Sequence, residues 1–163
     1  MSETGEVLAF FREGWQNYQD HLSKALAPLS AEQLALRAAP GLRSIEQLAR
    51  HLIATRAGWF RYVLKEGGEE LHVFDEWYKQ ESLPRSAEDL VSGLATTWQV
   101  IEEVLGRYTL SDLQSLVQDE DEEGKVYDLT RGWVLWHVLE HDLHHGGEIG
   151  YSLGMHGLAA PNL

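Results

Sequence analysis

Residues 133–149, WVLWHVLEHDLHHGGEI, hold four of the chain's eight histidines. Val134, Val138, His141, His145, Ile149 and Ser152 recur at steps of three or four, so on an α-helix they share one face. Such a stripe is the inward side of a long helix packed against others. His137, His141 and His145 are spaced by four, and a pair at that spacing can point two imidazoles at one metal ion. His141 and His145 lie on the stripe itself. His137 is displaced by one position from Val138 and is a reserve candidate, while His144 is expected to face solvent. Asp128 or Thr130 is predicted to cap this helix, which runs to about Met155 before His156-Gly157.

A second histidine stands out elsewhere. Ser44-Ile-Glu-Gln47 is a capping box that opens a helix running to about Lys65, with Gly67-Gly68 as its stop. Its inner stripe is Ile45, Leu48, Leu52, Thr55, Trp59 and Tyr62, and His51 falls within it. A histidine on an apolar face must have its ring nitrogens satisfied once buried. A hydrogen-bonded core histidine is the ordinary answer; the cluster on the last helix favours a ligand. His51, His141 and His145 are therefore the candidate three-histidine metal site.

Two further helices complete the pattern. Val7, Leu8, Phe11, Trp15, Tyr18, Leu22 and Leu26 predict a helix over 4–26, ended by Pro28. Leu90, Leu94, Thr97, Trp98, Ile101, Val104 and Leu105 predict another from Ser86 to about Tyr108. Ser30-Ala-Glu-Gln33 is a capping box for a short turn, and Ala39-Pro-Gly-Leu42 is a turn signal. Residues 67–85 form a long connection bearing His72, Phe74, Trp77 and Tyr78, placed either to cover a pocket mouth or to cap the core. His72, without a partner at useful spacing, is expected at the surface. The acidic run Asp119–Glu123 lacks the spaced ligands of a calcium loop and is expected to be solvated, between Leu116-Val117 and Val126-Tyr127 as a small hairpin. The predicted fold is an all-α four-helix bundle with one long crossover connection, as a single domain over 1–163.

Composition narrows the function. Acidic residues number 26 against 13 basic, a formal net charge of -13. That balance excludes binding to a nucleic-acid backbone or an anionic membrane surface, both of which need a basic face. There is no cysteine, so thiolate metal sites, disulfides and cysteine nucleophiles are absent. The N-terminus has neither a basic segment nor a long apolar run, and a cytoplasmic protein is expected.

Imidazole nitrogens suit zinc, nickel, iron and copper. Three of them leave a coordination position open, the arrangement of a catalytic site. A water there would be acidified, or an incoming thiolate could take the position. Glu140, Asp142 and Glu148 are near enough in sequence to orient the ligands. Glu148, one turn beyond His145, is the candidate proton acceptor. His137-Val-Leu-Glu-His141 fits H-x-x-E-H, and His141-Asp-Leu-His-His145 approaches H-E-x-x-H, but both are short, and a bundle does not match a zinc-peptidase layout.

His51 in the second helix, with His141-x-x-x-His145-Gly-Gly-Glu-Ile149 in the last, resembles the DinB-like (YfiT-like) superfamily over nearly the whole chain. The resemblance implies a four-helix bundle holding a divalent metal through His51, His141 and His145, with zinc or nickel first and iron or manganese after them. It implies a homodimer, a small-molecule substrate, and activity of the kind known in relatives that are metal-dependent thiol-S-transferases and isomerases using low-molecular-weight thiols. A metal-dependent hydrolase and a non-enzymatic metal-binding stress protein are the alternatives. Members often read H-R-G-Q after the last ligand; here Gly146 replaces the arginine and Glu148 the glutamine, making the pocket more acidic. An acidic thiol would need a local basic patch, for which Arg43, Arg50, Arg56 and Arg61 around the second helix, or Arg131, are candidates.

Overall fold

The computed structural model describes residues 3–79 and 83–161. Helix α1 spans Glu3–Leu26, the short α2 Ala31–Leu34, and α3 Ile45–Gly58, whose end widens into a π-helical turn over Trp59–Leu64. A 3-10 helical segment follows over Glu69–Tyr78. Then come α4 (Ala87–Arg107), α5 (Leu110–Gln114), an antiparallel hairpin of β1 (Leu116–Glu120) and β2 (Val126–Thr130), and α6 (Arg131–Met155). The long helices α1, α3, α4 and α6 form the bundle, with α1 on α4, α3 on both α4 and α6, and the 3-10 segment laid along α3.

Local chemistry sets most of these boundaries. Ser44 Oγ accepts from Gln47 N (3.2 Å) while Ser44 N donates to Gln47 Oε1 (3.0 Å), the reciprocal pattern that the sequence predicts. Ser30 with Gln33 and Ser86 with Asp89 do the same. Thr130, rather than Asp128, caps α6, its Oγ1 accepting from Trp133 N at 3.1 Å. Thr109 and Asp112 form a further capping box that opens α5. The π-helical turn ends at Lys65, which takes a left-handed backbone (φ 59°).

The core is one continuous cluster. It includes Leu22, Leu26, Ile45, Leu52, Ile53, Leu90, Leu94, Ile101, Val134, Val138, Ile149 and Leu153, each almost wholly buried. Burying such a side chain contributes roughly 1.5–3 kcal/mol, which far exceeds any single surface contact. Val7 and Phe11 of the predicted α1 stripe are exposed, as is Tyr62 in α3. The buried face of α1 follows Leu8, Trp15, Gln19, Leu22 and Leu26, a phase that leaves Val7 and Phe11 to the side.

The connection after α3 does both things that its aromatic content allowed. Phe74 and Trp77 are buried in the core, and Tyr78 reaches the site, its ring centroid 6.2 Å from that of His51. Its first residue, Gly67 at φ 76°, is crowded by the 3-10 segment and α4: a Cβ there would be 2.5 Å from Leu71 Cδ1 and 3.2 Å from Val100 Cγ1. The hairpin extends further than Leu116-Val117 and Val126-Tyr127. Asp121 in its turn accepts from Lys125 N (2.9 Å) and Glu123 N (3.0 Å), so this acidic residue is used in folding the turn. No helix among the described residues is long and apolar enough to cross a membrane.

Candidate metal centre

α3 and α6 pack side by side, and this brings His51 against His141 and His145. Ring centroids are 4.8 Å apart for His51–His145, 5.4 Å for His141–His145 and 5.9 Å for His51–His141. One nitrogen from each ring lies within 4.8 Å of the other two. Nitrogens bound at about 2.0–2.1 Å to a tetrahedral ion sit roughly 3.3 Å apart, so small ring rotations bring these three to one ion. His145 is buried, whereas His51 and His141 are half-buried at the edge of the bundle.

The surroundings prepare the rings for ligation. His145 Nδ1 lies 2.7 Å from Glu148 Oε2, a contact that favours the proton on Nδ1 and leaves the Nε2 lone pair for a metal. His141 Nδ1 is buried with no hydrogen-bond partner among the described residues, a costly state that coordination or a bound group would relieve. Burial lowers the pKa of His51 to about 4, helped by the positive charge of Arg43 and by His145 and His141. Burial, with His137 and His145 close by, also lowers that of His141. Both rings are thus neutral near pH 7, the form that binds metal. The three-histidine set fits a divalent ion.

The other histidines separate from the triad. His137 stacks on Trp133 at 4.8 Å and meets Trp59 edge-on at 4.8 Å, so an aromatic sandwich engages it, 4.6 Å from His141. His144 is exposed, though with His145 and Glu148 it forms a second group of side chains able to ligate a metal. His72 is exposed and pairs with Asp75 at 2.7 Å. His21 is half-buried on α1. His156 Nε2, at the end of α6, lies 2.8 Å from Arg37 O.

A family model, the DinB superfamily, matches residues 14–149. The chain belongs to the DinB superfamily. Two solved structures share the fold: a DinB-like protein from Bacillus cereus ATCC 10987 (22% identity, 93% of each chain covered, TM-score 0.68) and a candidate member of the DinB family from Exiguobacterium sibiricum 255-15 (19% identity, 96% of this chain and 94% of that one, TM-score 0.66). At such identities they speak for the fold alone. A search of curated proteins found no match.

Within this DinB fold, two features escaped the sequence reading. Asp142, expected near the ligands, instead points the opposite way. It is wholly buried, receives Arg56 Nη2 at 2.7 Å and Trp15 Nε1 at 2.6 Å, and so ties α6 to α3 and α1. Arg56 also donates to Gln19 Oε1 (2.8 Å). From the sequence, Asp142 stands as a possible partner of the ligand rings and Arg56 as part of a basic patch, and nothing in their spacing pairs them. The basic patch around α3 is consequently corrected. Arg56 is buried against Asp142, Arg50 is buried against Glu46 at 3.0 Å, and Arg61 is near Asp75 at 3.8 Å. Arg131 donates to Leu64 O and Tyr108 Oη. Arg43 alone of the five is exposed beside the site without a carboxylate partner among the described residues.

The second feature is Tyr18. Its hydroxyl donates to Asp142 O (3.2 Å) and occupies the space beside Gly146, where a Cβ would lie 2.0 Å from the oxygen. Tyr18 therefore accounts for glycine at the position where DinB-like sequences often carry arginine.

Proposed function

We propose that His51, His141 and His145 bind one divalent metal ion, zinc or nickel before iron or manganese, and that the chain is a metal-dependent enzyme of the thiol-S-transferase type. The observation that supports this best is the convergence of three imidazoles from two helices beside an open cavity of about 550 Å³ lined by His145, Glu148 and Arg43. A bound metal would lower the pKa of a thiol at its open position and hold the resulting thiolate for attack on an electrophile.

The chain's own residues do the remainder. Glu148 orients His145 through Nδ1. Burial and Arg43 keep His51 unprotonated. Arg43 is placed to meet an anionic group on the small-molecule partner. Trp98 packs on Trp15 (5.8 Å) and Trp59 on His137 (4.8 Å), and neither lines the cavity beside His145, which weighs against a purely structural metal. A hydrolase is the second reading, favoured by Glu148 lining that cavity with Oε1 outside its contact to His145, and so available to accept a proton from water. The reading also carries a homodimer, for which exposed Trp136, Leu143 and Met155 on α6 offer apolar surface.

Metal analysis tests the ligand set. His51→Ala, His141→Ala and His145→Ala should each lose bound metal by tenfold or more in affinity, and His144→Ala should keep it. Equal occupancy in all four overturns the assignment. Metal-loaded protein should then consume model electrophiles only when a thiol is supplied; turnover of esters without thiol, lost in Glu148→Gln with metal retained, selects the hydrolase instead.

A further inference from the structure

We infer that the cavity beside the triad receives a small molecule with an apolar body and a single carboxylate, and that Arg43 recognises the carboxylate. This deepens the proposed function by naming the substrate class, and it rests on that reading only for the cavity's being the substrate's.

The cavity lies between the turn before α3 and the last turns of α6. Its volume of about 550 Å³ falls within the range of small-molecule sites, roughly 300–1,000 Å³. Leu42, Leu48 and Tyr151 give it apolar walls, and Leu42 and Tyr151 remain 53% and 66% exposed, surface that an occupant would cover. Gly147 opens onto it with nothing within 4 Å of where a Cβ would stand.

Arg43 is the cation of this wall. It also lines a second pocket of about 260 Å³ that holds His51 and Tyr78, so it stands between the depression that contains His145 and the one that contains His51. The wall is held in place: Arg37 Nη1 donates to Leu42 O and to Gln47 Oε1 (3.0 Å), and Arg37 O meets His156 Nε2 from the end of α6 (2.8 Å). A guanidinium without a carboxylate partner among the described residues, on a chain of net charge -13, is matched to an anion. Glu148 on the same cavity repels a second negative charge, which selects a monocarboxylate over a phosphate dianion.

The test uses metal-free protein, so that neither the ligand set nor turnover enters the readout. Hydrocinnamate, hydrocinnamamide and phenyl phosphate are titrated by calorimetry. Hydrocinnamate should bind about tenfold or more tightly than the amide, equivalent to about 1.4 kcal/mol. Arg43→Gln should erase that difference, Arg43→Lys should restore part of it, and Gly147→Leu should abolish binding of both by filling the cavity. Arg43 and Gly147 are exposed, and thermal melts of the variants check that they fold. Equal binding of acid and amide, an undiminished preference in Arg43→Gln, tighter binding of phenyl phosphate, or no binding of hydrocinnamate each overturns the inference. Failure of metal binding in the histidine analysis leaves this result unaffected.

Discussion

At the residue scale, two glycines of α6 have opposite requirements. Gly146 faces the Tyr18 hydroxyl at a distance that no Cβ tolerates, and the ring behind it is anchored by its bond to Asp142 O. Gly154 faces open space. Replacing glycine by alanine in a helix gains about 0.5–1 kcal/mol in backbone entropy, whereas overpacking costs about 1–3 kcal/mol. Gly154→Ala should therefore raise the midpoint of urea unfolding, and Gly146→Ala should lower it. Tyr18→Ala combined with Gly146→Ala should recover part of the loss. An unchanged midpoint in Gly146→Ala would mean that Tyr18 moves aside freely.

At the scale of elements, α6 is placed by Asp142 rather than by its histidines. The Arg56–Asp142 pair is fully buried on both sides and further satisfied by Trp15 and Gln19, so its polar groups are matched at the junction of α1, α3 and α6. Removing one partner of such a pair leaves a buried charge and costs about 3–5 kcal/mol. Asp142→Asn should destabilise the fold by that order in chemical denaturation. Replacing both, Arg56→Met with Asp142→Leu, should recover most of it. Because His141 and His145 flank Asp142, a shift of α6 on α3 in the single variant should weaken metal binding as well. A drop in stability under 1 kcal/mol would mean that the pair contributes no more than a surface salt bridge.

At the scale of the whole molecule, pH acts through groups that tie elements together. Tyr108 donates to Glu66 Oε1 (2.8 Å) and accepts from Arg131 Nη1 (2.6 Å), linking α4, the end of α3 and α6. Burial, then Glu66, raises its pKa to about 12; burial, then Asp142, does the same for Tyr18. Unfolded, both ionise near 10. The folded chain holds these protons more tightly, so the contribution is complete below pH 10 and is lost as pH rises through 12. Urea unfolding should show falling stability across that window, with a shallower fall in Tyr108→Phe. An identical slope in that variant would remove Tyr108 from the account.

Much of this protein is legible along the chain because helix periodicity is a local property. The stripes of α3, α4 and α6 and the serine caps follow from side chains within one or two turns of each other. The His141–His145 pair is separable from His144 on the same ground, whereas His137, half-buried like His51 and His141, is set apart by its packing between Trp133 and Trp59. What lies between elements is not encoded locally. Arg56 reads as part of a basic patch and Asp142 as a partner of the ligand rings until α3 and α6 are set side by side, and only then does burial force them to pair. The same packing leaves Arg43 without a carboxylate among the described residues while Arg50, Arg56 and Arg61 are taken, and opens a cavity beside the histidines. Spacing determined which side chains face inward; the meeting of helices decided which of them find partners, because a buried charge must be matched by whatever the neighbouring helix presents.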